Sequence, residues 1–167
     1  MGPSISVFGL GYVGSVSAAC FASMGHRVIG VDVNPDKLAM MEGGRSPIIE
    51  AKMNGLVAEA NRACRLHATV DSIAAVRDSD VSFVCVGTPS LRSGKLDSSH
   101  IEKVAREIGA ALKQKNQHTL SFYAAPSCPG QLSRSSCRFW SRQAGGAPEL
   151  ILLLLTIPNS CARQCRS

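Results

Sequence analysis

Ser4-Ile-Ser-Val-Phe-Gly-Leu-Gly-Tyr-Val-Gly14, followed eighteen residues later by Asp32 in Val28-Ile-Gly-Val-Asp-Val33, decides how the rest of the chain is read. An apolar strand runs into Gly9, Gly11 and Gly14, a helix opens there, and a second strand ends on a carboxylate. That is the layout of a dinucleotide-binding βαβ unit. Gly9 permits a tight turn, Gly11 lets the backbone approach a diphosphate, and Gly14 lets helix and strand pack closely. The phosphates are expected on the N–H groups at the positive end of the helix. Asp32 is expected to accept hydrogen bonds from the adenosine ribose and to repel a 2′-phosphate, which favours NAD over NADP.

Size and composition set outer bounds. The 167 residues are one domain's worth of chain, and an apolar share of 45% is enough for a core. The longest apolar run, Leu150 to Leu155, is far too short to span a bilayer, so no membrane association is expected. A strand beginning almost at Met1 leaves no room for a signal peptide, and the cytoplasm is the expected location. Met1-Gly2 with Ser6 formally fits a myristoylation pattern, but Pro3 and an immediate strand speak against it.

The net charge of +6 invites a nucleic-acid reading, and its distribution argues against one. Residues 1–118 hold 13 Lys/Arg against 11 Asp/Glu; residues 119–167 hold five Arg against one Glu. No helical stripe organises those tail arginines, so no nucleic-acid partner is expected. Cysteine is skewed in the same direction. Cys20, Cys64 and Cys85 precede residue 118, while Cys128, Cys137, Cys161 and Cys165 crowd the tail. None of the tail spacings completes a zinc ligand set, and no metal is expected.

From Met1 to His118 the pattern is regular. The first helix carries Val13, Val16, Cys20 and Met24 at helical spacing, with Phe21 beside them and Gly25 at its end. Asn34-Pro35 supply an N-cap and a first-turn proline for a helix through Met41, which Gly43-Gly44 end. A helix from about Ala51 to Asn61 and a strand from Leu66 to Thr69 follow. Asp71 caps a brief helix through Val76, and Val81 to Val86 reads as a buried parallel strand. Ser99 and Glu102 form a capping box for a helix with Ile101, Val104, Ala105, Ile108 and Leu112 on one face. Strands alternating with helices predict an α/β, doubly wound, Rossmann-like parallel sheet. After Thr119 no period persists, which predicts an incomplete sheet with an irregular C-terminal tail. The expected domains are residues 1–118 and a tail of 119–167.

Residues 4–118 closely resemble the NAD-binding domain of the UDP-glucose/GDP-mannose dehydrogenase family. The resemblance is carried by Gly9-Leu-Gly-Tyr-Val-Gly14, Gly25-His-Arg-Val28, Gly30-Val-Asp-Val33, Ser46-Pro-Ile-Ile-Glu50 and Asp80-Val-Ser-Phe-Val-Cys-Val-Gly-Thr-Pro89. Gly94-Lys-Leu-Asp97 and Glu107-Ile-Gly109 fit as well. Within the family the pattern is most similar to GDP-mannose 6-dehydrogenases, with UDP-glucose 6-dehydrogenases second. A hydroxyacyl or phosphogluconate dehydrogenase fits the Gly87-Thr88-Pro89 and Pro47-Ile48 context poorly. One departure stands out: the family follows Pro-Ile-x-Glu with Pro-Gly, where this chain has Ala51-Lys52, and the start of the next helix is thereby left open.

The resemblance implies that Tyr12 and Val13 contact the diphosphate through their backbone. It also implies that Asp32 and Lys37 hold the adenosine ribose and that Thr88 lines the nicotinamide side. A solvated helix lysine is the plainer account of Lys37, and a turn closing before Pro89 that of Thr88. The family oxidises the C6 alcohol of a nucleotide sugar to a carboxylate in two hydride transfers to NAD. A cysteine thiol captures the intermediate aldehyde, and the thioester left by the second transfer is hydrolysed. The chain stops before that cysteine, so no catalytic residue is assigned; Cys20, Cys64 and Cys85 are expected to be small buried hydrophobes. The sugar-nucleotide pocket and the dimerising helices belong to longer relatives, and the chain is expected to be inactive alone. A non-catalytic NAD-binding remnant that joins a full-length partner is the alternative.

Beyond Thr119 the family calls for a fifth strand leading to Arg-Ser-Thr-Val-x-Pro-Gly-Thr, then Asn-Pro-Glu-Phe-Leu-Arg-Glu. Neither is present, yet both are recoverable from a displaced reading frame. A displaced codon takes its first base from the wobble position of one residue and its other two from the next residue. Phe122 through Gln131 then permits Val-Leu-Arg-Ser-Thr-Val-Leu-Pro-Gly-Thr. Ile157 through Arg163, with Thr156 supplying the first base, permits Asn-Pro-Glu-Phe-Leu-Arg-Glu. The expectation is a frame slip near Thr119. Loss of the native fifth strand would leave Val81 to Val86 as an apolar edge unless Leu120 to Ala124 pairs there as a makeshift strand.

Overall fold

The computed structural model describes residues 2–87 and 99–115, with the backbone alone of 120–126 and 151–157. Its first strand, β1 (Ile5–Phe8), enters helix α1 (Tyr12–Ser23) through the glycine turn, and β2 (Val28–Val31) follows. Next come α2 (Pro35–Glu42), α3 (Met53–Arg62), β3 (Leu66–Thr69), α4 (Ser72–Arg77), β4 (Val81–Val84) and α5 (Ser99–Leu112). The strands pair in parallel in the order β3-β2-β1-β4. The order reverses direction between β1 and β4, which opens a crevice at the carboxyl ends of the strands.

The tail is less irregular than its sequence. Strand β5 (Leu120–Pro126) lies parallel to β4, with Val81 opposite Leu120 and Val84 opposite Tyr123. The makeshift pairing of Leu120 to Ala124 is therefore the arrangement found. Strand β6 (Ile151–Ile157) adds beyond it in parallel register, and the sheet order extends to β3-β2-β1-β4-β5-β6. This second addition is a correction to the expectation of an irregular tail over that stretch. The physical reason is that β5 offers an unpaired edge ladder, which an apolar run can extend.

Alternation along the inner strands sends side chains to two cores. Ile5, Val7 and Val28 join Leu38 and Met41 of α2, Met53, Val57 and Ala60 of α3, and Ala18, Ala19 and Ala22 of α1. Phe8, Ile29, Val31 and Val84 face Ala75 and Val76 of α4 and Ala105, Ile108 and Ala111 of α5. Ser6 of β1 and Ser82 of β4 are fully buried on that second side, yet their hydroxyls pair at 2.9 Å and Ser79 Oγ donates to Ser6 Oγ at 2.9 Å. The buried hydroxyls thus partner one another, avoiding the cost of burying them unpaired.

Helix α1 departs from expectation. Its buried face is Gly14, Ser15, Ala18, Ala19 and Ala22, while Cys20 is exposed and Met24 is 72% exposed. Small residues let the helix axis approach the sheet, so they win the inner face over the larger Val13–Met24 stripe. Cys64 is exposed too, in the turn after α3 at φ 52°, and Cys85 is half-buried just past β4. The reading of all three cysteines as buried hydrophobes therefore holds only for Cys85.

Helix ends follow their local chemistry. Asn34 Oδ1 accepts from the N–H groups of Asp36 and Lys37, and Asp71 Oδ1 from that of Ala74. After α1, Gly25 takes φ 94°, its N–H donates to the Ala22 carbonyl, and that of His26 donates to the Phe21 carbonyl. This is a Schellman stop. Helix α3 begins at Met53 after Lys52, which adopts φ 67°. Lys52 stands where the family's pattern places glycine, and it takes the left-handed conformation that glycine adopts without strain.

Candidate dinucleotide site

The site is built where β1 and β2 end. Gly9 has φ 91°, and a Cβ there would lie 3.0 Å from the Cys85 carbonyl oxygen. Both facts require glycine. At Gly14 an added Cβ would come within 1.8 Å of the Gly9 carbonyl oxygen, so α1 starts as close to the turn as its backbone allows. Gly11 differs from both. It has φ −78°, and a Cβ there would meet nothing within 4 Å. The protein itself makes no demand for glycine at this position, so the space above it is left for something else. A helix start offers N–H groups without intrahelical partners and a positive dipole end, chemistry suited to a diphosphate. The open cradle at Gly11 therefore fits the expected coenzyme.

Asp32 follows directly on β2, and its side chain is 8% exposed. Its Oδ2 accepts from the Leu10 N–H at 2.7 Å and from Lys37 Nζ at 3.2 Å, and its Oδ1 accepts from the Asn34 N–H at 2.9 Å. Burial pushes the carboxyl's pKa up, but the Asn34 and Leu10 hydrogen bonds and the Lys37 ammonium together outweigh it. The net result lies below the ordinary 3.8, so the group is a carboxylate at neutral pH.

Of the residues singled out from sequence, the structure gathers Gly9, Gly11, Tyr12, Val13 and Gly14 on the turn and first turn of α1, with Asp32 and Lys37 beside them. Thr88 lies outside the described residues. Sequence reasoning gave no part to Leu10, whose N–H meets Asp32 and whose fully buried side chain sits where a Cβ on Gly30 would be, 3.0 Å away. Gly30 between Ile29 and Val31 in a strand was the available signal, because glycine there marks a close approach. Glu50 had no assigned role from sequence either. Its Oε2 accepts from the Tyr12 hydroxyl at 2.9 Å, which ties the 44–52 loop to the start of α1. Cys85 lies beneath the turn, and burial pushes its thiol up to about 12, leaving it protonated and unreactive. Among the described residues, no group of three or more His, Cys, Asp or Glu could hold a metal ion, and no helix is long and apolar enough to cross a membrane.

This turn, crevice and acidic strand end define a Rossmann-type dinucleotide-binding fold. More narrowly, the NAD-binding domain of the UDP-glucose/GDP-mannose dehydrogenase family matches residues 3–121, and the chain belongs to that family of NAD-dependent oxidoreductases. GDP-mannose 6-dehydrogenase of Pseudomonas aeruginosa is 50% identical over 117 residues, covering 70% of this chain and 27% of the relative. UDP-glucose 6-dehydrogenase of Rhizobium meliloti is 44% identical over 110 residues, covering 65% of this chain and 25% of the relative. Among solved structures, a ternary complex of GDP-mannose dehydrogenase from P. aeruginosa superposes with a TM-score of 0.83 at 39% identity, covering 91% of this chain and 35% of that one. A UDP-glucose dehydrogenase from Pyrobaculum islandicum gives 0.83 at 32% identity, covering 94% and 36%. The chain spans about a quarter of the length of the curated relatives it matches.

Proposed function

We propose that this chain is the coenzyme-binding part of a nucleotide-sugar 6-dehydrogenase of the type that oxidises GDP-mannose to GDP-mannuronate for polysaccharide precursors. The observation that carries the reading is the open cradle at Gly11 beside an ionised Asp32 in a chain of this family. Gly9, Gly11, Gly14 and the backbone of Tyr12 and Val13 hold the diphosphate of NAD. Asp32 and Lys37 hold the adenosine ribose, and Thr88 lines the nicotinamide side. Bound NAD supplies the hydride acceptor. The carboxylate at position 32 disfavours a 2′-phosphate by charge repulsion.

The nucleotide-sugar substrate and the dimer are assigned to full-length relatives, and this chain is inactive alone, in the cytoplasm. What supports the inactivity is the quarter share of the relatives that it spans. UDP-glucose oxidation is the alternative chemistry, and a non-catalytic NAD-binding remnant is the alternative role. We further infer that residues 1–118 are the domain and that 119–167 are read out of frame. Two family motifs, in order, recoverable from one displacement, support this; coding bases that exclude either motif refute it.

Calorimetry on the full chain tests the core of the reading. NAD should bind, and NADP at least about tenfold more weakly. No heat with either coenzyme overturns it. NADH formation from GDP-mannose by the chain alone overturns the claim of inactivity, and NADH from UDP-glucose moves the substrate to the alternative.

A further inference from the structure

Leu10 is the residue between the two glycines of the cradle, and it is held on every side. Its N–H is bonded to Asp32 Oδ2, and its carbonyl accepts from the buried Ser15 Oγ at 3.2 Å. Its fully buried side chain packs against Gly30. Asp32 therefore does more than face solvent at a strand end. A carboxylate has about four lone-pair directions. Leu10 N–H and Lys37 Nζ occupy two on Oδ2, and Asn34 N–H occupies one on Oδ1. A single direction, on Oδ1, is left for a ligand.

We propose that Asp32 is a positioning residue for the diphosphate cradle as well as a ribose acceptor, with Oδ2 fixing the turn through the Leu10 N–H and Oδ1 taking one sugar hydroxyl. This rests on the dinucleotide reading above and adds a coupling to it. The group that reads the sugar also sets the shape of the phosphate site through the Leu10 N–H, so the two functions fail together.

The test uses the full chain, NAD, and an NAD analogue whose adenosine ribose lacks both hydroxyls. Were Asp32 a ribose acceptor only, Asp32→Ala would leave the analogue's affinity unchanged. The coupling instead makes Asp32→Ala weaken the analogue by about tenfold, the size of one lost charge-assisted hydrogen bond. It also makes exchange of the Leu10 amide faster by about tenfold without coenzyme. Asp32→Asn keeps an oxygen for the Leu10 N–H and should return both readouts to within about twofold of the unsubstituted chain. A readout that needs no variant guards against misfolding: the Leu10 amide proton shift should follow the Asp32 carboxylate as pH falls. An unchanged analogue affinity in Asp32→Ala, or a Leu10 amide indifferent to that titration, overturns the coupling. Failure of the unsubstituted chain to bind NAD while the Leu10 amide still follows the titration overturns the dinucleotide reading instead.

Discussion

Substituting Gly11 by alanine separates what the protein needs from what the coenzyme needs. The backbone there, at φ −78° and ψ −163°, suits any residue, and the new methyl would meet nothing within 4 Å. Alanine is a poorer N-cap than glycine by up to about 1 kcal/mol. The smaller entropy of the unfolded chain offsets about 0.4–1 kcal/mol of that. The melting temperature should therefore stay within about 2 °C of the unsubstituted chain. Binding should not survive so well. A diphosphate lying against the Gly11 backbone meets a methyl where none was, and overpacking of a close contact costs about 1–3 kcal/mol. That corresponds to roughly a 5- to 150-fold rise in Kd. Calorimetric titration with NAD and a thermal melt of the same sample give both numbers. Gly14→Ala is the contrast: its Cβ, 1.8 Å from the Gly9 carbonyl oxygen, should lower the melt itself. If Gly11→Ala melts normally and binds NAD within about twofold of the unsubstituted chain, the diphosphate does not lie over Gly11 and the reasoning fails.

Three further outcomes follow from separate parts of the structure. Lys52→Gly removes a left-handed strain of about 1–2 kcal/mol against a glycine entropy cost of about 0.5–1 kcal/mol, so the melt should rise by a degree or more; a lower melt contradicts this. Native-state alkylation at neutral pH, read residue by residue by mass spectrometry, should modify Cys20 and Cys64 and spare Cys85, which is protonated and largely enclosed. Acid should destabilise the fold through two carboxylates. Asp80 is held low by the Ser4 N–H and hydroxyl, and Asp32 is held low against its burial by Asn34, Leu10 and Lys37. A depressed folded-state pKa adds stability that is complete above the ordinary 3.8 and is lost as pH falls through the lower folded value. Melts in that acid range should decline, and Asp32→Asn should flatten the decline; an equal slope in the variant refutes Asp32's share.

The strands and caps of residues 4–84 were legible because each rests on local chemistry. Asn34-Pro35, Asp71 and Gly25 do at their helix ends what their side chains and dihedrals allow anywhere. The inner face of α1 was not legible by apolar spacing, since Val, Cys, Met and Phe lie on several sides of it. The useful signal was size: Gly14, Ser15, Ala18, Ala19 and Ala22 form the row that permits close approach. The bond from Asp32 to Leu10 was hidden for another reason. It joins residues 22 apart through a backbone N–H, and no side-chain type announces that. Strand β6 was missed because its run carries no flanking turn signals; what places it is the open ladder of β5, a feature of the assembled sheet.

The sheet grows from its middle. β1 comes first in the chain and lies inside, β2 and β3 extend one flank, and every later strand extends the other. The first four strands end at residue 84, so a nascent chain holds β1 and both of its neighbours before the outer flank is translated. Mutational damage late in the gene accordingly reaches the molecule's periphery, while the junction where a nucleotide would rest is already written.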